Sequence, residues 1–236
     1  KLRETRMSEI AVDNLVRHGG LDGLADDWSA DKQTYHVPWG KAMMWIFLLS
    51  EVMFFTSLIG SYVILRFAHP DHWTEVGTVL NVQLTALNTF ILICSSVTMV
   101  KAFAAIQAGD QKGLQRWLLA TILIGATFVG IQVVEYMALS GEGFVPMLDS
   151  YHAVGRGNPH EGPSLGGPLY GATFYAMTGF HGAHVSIGVL CLIFVYVRSL
   201  QGAYTATSLE GVEVIGLYWH FVDLVWILLF TIVYLI

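Results

Sequence analysis

Charge is what this chain lacks most. Only 13% of its 236 residues are Asp, Glu, Lys or Arg, about half the share found in an ordinary soluble domain. A normally solvated globular surface is therefore excluded. Positive charge is in the minority, 12 Lys and Arg against 18 Asp and Glu, and the net charge of −6 is spread over the N-terminal tail and the loops. That is not the basic stripe that nucleic acid requires, so no nucleic-acid partner is expected. Cysteine is nearly absent. Cys94 and Cys191 both fall inside apolar stretches, where a free thiol behaves as a small hydrophobe, and no disulfide framework is indicated. No internal repeat is evident. No signal-peptide pattern is visible, and the chain opens on Lys1 rather than Met.

Apolar residues take the place of charge. They make up 54% of the chain, and the mean hydropathy is +0.56. Apolar runs fall at 42–67, 81–106, 115–139, 169–198 and 214–236, each long enough for a hydrocarbon core that needs roughly 20 residues of helix. The runs are continuous rather than alternating, which argues against a transmembrane barrel. The fold class expected is all-α: a polytopic membrane bundle of five transmembrane helices. Lys1, Arg3, Arg6, Arg17, Lys32 and Lys41 precede the first span, Lys101, Lys112 and Arg116 surround the second loop, and Arg198 closes the fourth span. The alternate loops hold only Arg66 and Arg156. This asymmetry places the N-terminus inside and the C-terminus outside.

Two domains of unlike character are expected: a polar N-terminal extension over 1–38 and a membrane domain over 39–236. In the extension, Met7, Ile10, Ala11 and Leu15 are spaced for one face of a short amphipathic helix over 7–18, with Gly19 and Gly20 as its stop. Trp39, Trp45, Trp73 and Trp117 suit the membrane interfaces. The loop 140–168 is dense in Gly and Pro, which forbids a long helix and predicts an irregular excursion on the outer side.

Ionisable groups inside such spans are costly and rare, so each one is a candidate for function. Glu51 lies nine residues past Ala42, close to mid-membrane at about 1.5 Å per residue. It reads as a proton-active carboxyl or a lipid-headgroup partner, against a plain packing hydrogen bond. Glu135 lies near the outer end of the third span, where snorkelling to the interface is the bland alternative. Gln83, Asn88, Ser95 and Ser96 read as interhelical glue. His181 and His184 stand three apart on the fourth span, and His220 and Asp223 repeat that spacing on the fifth, so each pair shares a helix face. Gly171, Gly179, Gly182 and Gly188 would admit close approach of another helix. Three acids and three histidines in one bundle raise the question of a metal. Di-iron bundles need Glu-x-x-His pairs, which are missing from these spans, while haem ligation stays open on spacing alone.

Six blocks in order along the chain decide the family. They are Ser50-Glu51-Val52-Met53-Phe54-Phe55, Leu87-Asn88-Thr89, Gln132-Val133-Val134-Glu135-Tyr136, Tyr170-Gly171-Ala172-Thr173-Phe174-Tyr175, Thr178-Gly179-Phe180-His181-Gly182-Ala183-His184-Val185, and Tyr218-Trp219-His220-Phe221-Val222-Asp223-Leu224-Val225-Trp226. From Trp39 to Ile236 the chain resembles subunit III of the haem-copper cytochrome c oxidases, in the five-helix form also found in bacterial quinol oxidases. The resemblance implies an accessory subunit of a proton-pumping terminal oxidase in a bacterial inner membrane, in which electrons pass from cytochrome c to oxygen. It implies no catalytic residue, metal or redox centre in this chain, with haem and copper in subunits I and II. It implies structural phospholipid, support of proton uptake, and partnership with subunits I and II. The 140–168 loop and the N-terminal extension are longer than the family pattern and suit contacts to further respiratory subunits. Glu51 matches the family's buried reactive carboxyl. Glu51, Glu135, His181, His184, His220 and Asp223 are expected to form a buried polar network, and Lys41 and Glu51 to meet lipid. The rival readings are a quinol oxidase subunit of the same family, a stand-alone proton or ion transporter, and a membrane metalloprotein.

Overall fold

A computed structural model describes residues 38–70, 73, 80–141, 168–205 and 208–235. The calls on the amphipathic helix at 7–18 and on the interior of the 140–168 loop lie outside these residues. Five long helices account for nearly all of the described chain: α1 (Trp39–Ala68), α2 (Val82–Gln107), α3 (Gln111–Gly141), α4 (Pro168–Leu200) and α5 (Glu210–Phe230), the last running into a π-helical turn at Thr231–Leu235. All five are long and apolar enough to cross a membrane, with mean hydropathies of 1.8 to 2.1 over their best windows. The fold class expected from the sequence is the one observed. The helices overrun the expected spans by a few residues, because polar residues such as Gln111 and Glu210 extend a helix past the hydrocarbon boundary at little cost.

Local chemistry sets the ends. Asn81 caps α2, its side-chain oxygen accepting from the Leu84 N–H at 3.1 Å, and Asp110 does the same for α3 by accepting from the Gly113 N–H at 2.9 Å. These caps satisfy backbone donors that a helix start leaves open. Between α2 and α3 the chain reverses within Ala108–Asp110, using Gly109 at φ +76°, a left-handed conformation that costs glycine least. Beyond α4 the chain turns at Gly202, and the one bridge among the described residues joins Thr205 and Ser208.

From Met44 onward the chain is one compact unit; residues up to Met43 form another, of which only the first turn of α1 is described. Within the larger unit α2 packs on α3, α3 on α4, α4 on α5, and α5 back on α2, so four helices close a ring. Helix α1 stays outside that ring. It buries only Leu48, Phe55 and Tyr62, one residue every seven, and reaches its neighbours through long side chains. Phe54 meets Phe180 at 5.1 Å between ring centroids, Phe55 meets His184 at 5.2 Å, and Phe47 meets Tyr218 at 6.2 Å.

Helix α5 is the centre of the core. Val212, Trp219, Trp226 and Val233 recur every seven residues and are almost wholly buried. Trp219 lies against two glycines: a Cβ at Gly125 of α3 would come within 2.5 Å of its ring, and one at Gly188 of α4 within 3.0 Å. Of the fourth-span glycines singled out from the sequence, Gly188 is used this way. Gly179 and Gly182 have open space in place of a side chain, so the expected close approach is absent there; the ring neighbours α3 and α5 lie on other faces of α4. Away from the seams Leu87, Phe90, Leu123, Leu190 and Leu224 are each more than half exposed. Such a girdle suits a solvent of acyl chains, which is as apolar as leucine.

Candidate functional site

Every helix seam carries at least one polar contact. Thr98 meets Thr121 at 2.8 Å between α2 and α3, and the Tyr136 hydroxyl donates to Thr178 at 2.7 Å between α3 and α4. Between α2 and α5 there are three: Trp219 Nε1 donates to Ser95 at 2.9 Å, Ser96 donates to Asp223 Oδ2 at 2.6 Å, and Trp226 Nε1 donates to Thr89 at 2.9 Å. The Tyr218 hydroxyl donates to the His184 carbonyl at 2.9 Å, joining α5 to α4. Without water in the bilayer core, such bonds satisfy groups that have no other partner and help hold helices together.

The contact between α1 and the ring pairs an acid with a histidine. His184 Nε2 lies 3.1 Å from Glu51 Oε2, with each side chain 16% exposed. The other ring nitrogen, Nδ1, is 2.7 Å from the Phe180 carbonyl. A carbonyl only accepts, so Nδ1 carries a proton and the tautomer is fixed. Nε2 then either accepts a proton from a neutral Glu51 or, protonated itself, donates to the carboxylate. Both forms hold one proton between Nε2 and Oε2, and both are neutral as a pair. Phe54 and Phe55 stand beside the imidazole. Glu51 is the thirteenth residue of the 30-residue α1, so the pair lies near the middle of the span.

The other residues expected in one network are dispersed. His181 is 1% exposed, stacks on Trp226 at 4.9 Å and 27°, and meets Phe128 edge-on at 6.1 Å; neither ring nitrogen has a hydrogen-bond partner among the described residues. Asp223 is 6% exposed and held by Ser96 rather than by a histidine. His220, one turn before it, lines a groove of about 190 Å³ with Met99, Phe103 and Glu213. Glu135 is 7% exposed, so snorkelling is not its role: Thr85 donates to it at 2.9 Å, and the hydroxyl of Tyr234, on the π-helical turn, lies 3.4 Å from both carboxylate oxygens. Lys41 lies in the first turn of α1.

The expectation of a single polar network therefore resolves into separate groups: Glu51 with His184, Asp223 with Ser96, Glu135 with Thr85 and Tyr234, and His181 in an aromatic nest. Spacing of three puts His181 and His184 on adjoining parts of one face, yet Glu51 of α1 meets only His184, while His181 is enclosed by Phe55 of α1 at 6.3 Å, Phe128 of α3 and Trp226 of α5. Sequence reasoning missed Thr85, Thr89 and Tyr234. Their signal was a hydroxyl at helical spacing within an apolar run, which is too common to single out. Ser95, Ser96 and Asn88 serve as the expected glue, Asn88 by donating to the Phe128 carbonyl at 3.4 Å, whereas Gln83 is exposed. Among the described residues no three His, Cys, Asp or Glu converge as a metal site would need.

The family model described as cytochrome c oxidase subunit III matches residues 29–143 and 162–236. A Nocardia farcinica protein named "Probable cytochrome c oxidase subunit 3" is 37% identical over 191 residues, covering 81% of this chain and 85% of its own. The cytochrome c oxidase subunit 3 of Thermostichus vulcanus is 36% identical over 81% of this chain and 84% of its own. That of Synechocystis is 39% identical over 81% and 73%. With the bundle of five membrane-length helices and the quoted blocks lying on them in order, the chain belongs to the cytochrome c oxidase subunit III family.

Proposed function

We propose that this chain is the accessory subunit III of a proton-pumping terminal oxidase in a bacterial inner membrane, in a complex that passes electrons from cytochrome c to oxygen, yields water and moves protons. The names of the relatives specify cytochrome c, which favours that donor over quinol. In this reading subunits I and II carry haem and copper and do the chemistry. This chain packs against subunit I, holds phospholipid and supports proton uptake at the inner entrance of the catalytic subunit, with its N-terminus inside.

The observation that carries this reading is the Glu51–His184 contact at 3.1 Å. A lone charge at that depth costs several kcal/mol, whereas a neutral pair that shares one proton avoids most of the cost. The pair thus ties α1 to the ring and keeps a proton in mid-membrane without net charge. That suits a subunit which supports proton movement next door and makes no redox step itself. Lys41 supplies a cation at the inner end of α1 for a lipid phosphate, and Glu51 is the second group assigned to lipid.

The test is Glu51→Gln in the intact complex. Haem and copper content and the initial rate should match the parent, while the number of turnovers before inactivation changes several-fold. Loss of the haem spectrum in that variant would refute an accessory role.

A further inference from the structure

One end of the α3–α4 seam carries cations that meet no acid among the described residues. A cavity of about 510 Å³ opens there, lined by Lys112, Gln115, Arg116 and Leu119 of α3 and by Tyr196 of α4. Lys112 is the second residue of α3 and Tyr196 lies four residues before the end of α4, so the cavity sits where both helices leave the hydrocarbon. The seam is pinned: the side-chain amides of Gln111 and Gln115 both donate to the Ser199 carbonyl, at 3.0 and 3.1 Å. Arg116 Nε donates to the Lys112 carbonyl at 3.2 Å, which fixes the guanidinium stem and leaves its terminal nitrogens for another acceptor. Among the described residues neither cation is in an ion pair. The acid next to them in sequence, Asp110, caps Gly113.

Two cations one helical turn apart on the same face repel each other, and an anion between them reverses the sign of that interaction. Farther into the membrane the surface turns apolar: Leu119 and Ile193 are each 40% exposed and Leu123 is 60% exposed. A polar, doubly cationic head over an apolar wall matches an amphiphile with an anionic head. Among the described residues no acid lines the cavity to receive a choline or ethanolamine cation, so a zwitterionic head is the poorer fit. We infer that this cavity binds an anionic phospholipid, its phosphate held between Lys112 and Arg116 beside the Tyr196 hydroxyl, its acyl chains along Leu119, Leu123 and Ile193. The site is distinct from Lys41 and Glu51 and needs only that the helices span a membrane, so it does not depend on the proposed oxidase role.

The complex that contains this chain, isolated in mild detergent, provides the test. Bound lipid is counted by mass spectrometry, and rebinding is followed with nanodiscs of phosphatidylglycerol or of phosphatidylcholine. Lys112→Ala with Arg116→Ala should release about one anionic lipid per chain and weaken phosphatidylglycerol binding about thirtyfold. Lys112→Gln alone, at an exposed position that leaves the fold intact, should weaken it about fivefold. Phosphatidylcholine should compete poorly, and inorganic phosphate at millimolar concentration should not compete at all. Unchanged phosphatidylglycerol retention in Lys112→Gln overturns the site, whether or not the double variant assembles. Equal retention of phosphatidylcholine overturns the charge argument, and displacement by inorganic phosphate makes it a phosphate site rather than a lipid site.

Discussion

Two histidines one turn apart show how much a residue's neighbours decide. His184 has a partner on each ring nitrogen, the Phe180 carbonyl and Glu51, whereas His181 has none among the described residues and lies between Trp226 and Phe128. A buried polar group left without a partner costs about 1–3 kcal/mol, while an apolar group of the same shape in its place is nearly neutral or stabilising. His181→Phe is therefore expected to leave the thermal stability of the complex within about 1.5 kcal/mol of the parent, as a shape-conserving swap. His184→Phe strands Glu51 and should cost about 1–3 kcal/mol. Thermal inactivation of the solubilised complex measures both. Equal damage from the two substitutions would mean that His181 also has a polar partner. Both histidines were legible as candidates from the sequence, because polar residues in a span stand out. Which of them meets Glu51 was not, since a spacing of three fixes a shared face and not what covers it.

Among elements, α5 is the one whose pattern could be read in advance and whose fit could not. Its apolar run and its Trp219–Trp226 heptad spacing are visible in the sequence. The slot for Trp219 depends on Gly125 and Gly188, from two other helices. Gly125→Ala forces a methyl to 2.5 Å from the indole, and overpacking of this kind costs about 1–3 kcal/mol. The amount of this subunit recovered in the purified complex should fall in Gly125→Ala. It should hold in Gly182→Ala, where the chain itself leaves open space. A loss in Gly182→Ala would show that another protein packs on that face. The π-helical turn at Thr231–Leu235 likewise has no sequence signature, yet it carries the hydroxyl that approaches Glu135.

At the scale of the molecule, four helices close a ring and the fifth leans on it through aromatic side chains and one shared proton. Helix packing in lipid gains little from the hydrophobic effect, because exposed leucines are as content in acyl chains as in a core. Polar rungs and small-residue slots therefore hold the ring together, and α1, which buries only three of its described residues, is the most loosely attached helix of the bundle. The orientation proposed from the loop charges is testable by itself. In a background without Cys94 and Cys191, Ala108→Cys at the α2–α3 turn should react with a membrane-impermeant thiol reagent only in inverted vesicles. Ser140→Cys near the far end of α3 should react only in right-side-out ones. The opposite pattern would reverse the positive-inside assignment.

The number of helices, their approximate bounds and the family follow from the sequence by itself. Span length is set by bilayer thickness, and the blocks from Ser50-Glu51 to Tyr218–Trp226 are local strings that need no folding to be read. The tertiary structure alone decided that the buried acids and histidines are separate groups rather than one network. It also decided that α1 stands outside the ring, and that Lys112, Arg116 and Tyr196 face one cavity. The physical reason is that period and composition fix which residues avoid water, whereas partnership across helices depends on rotation and separation set by packing contacts from at least two other helices.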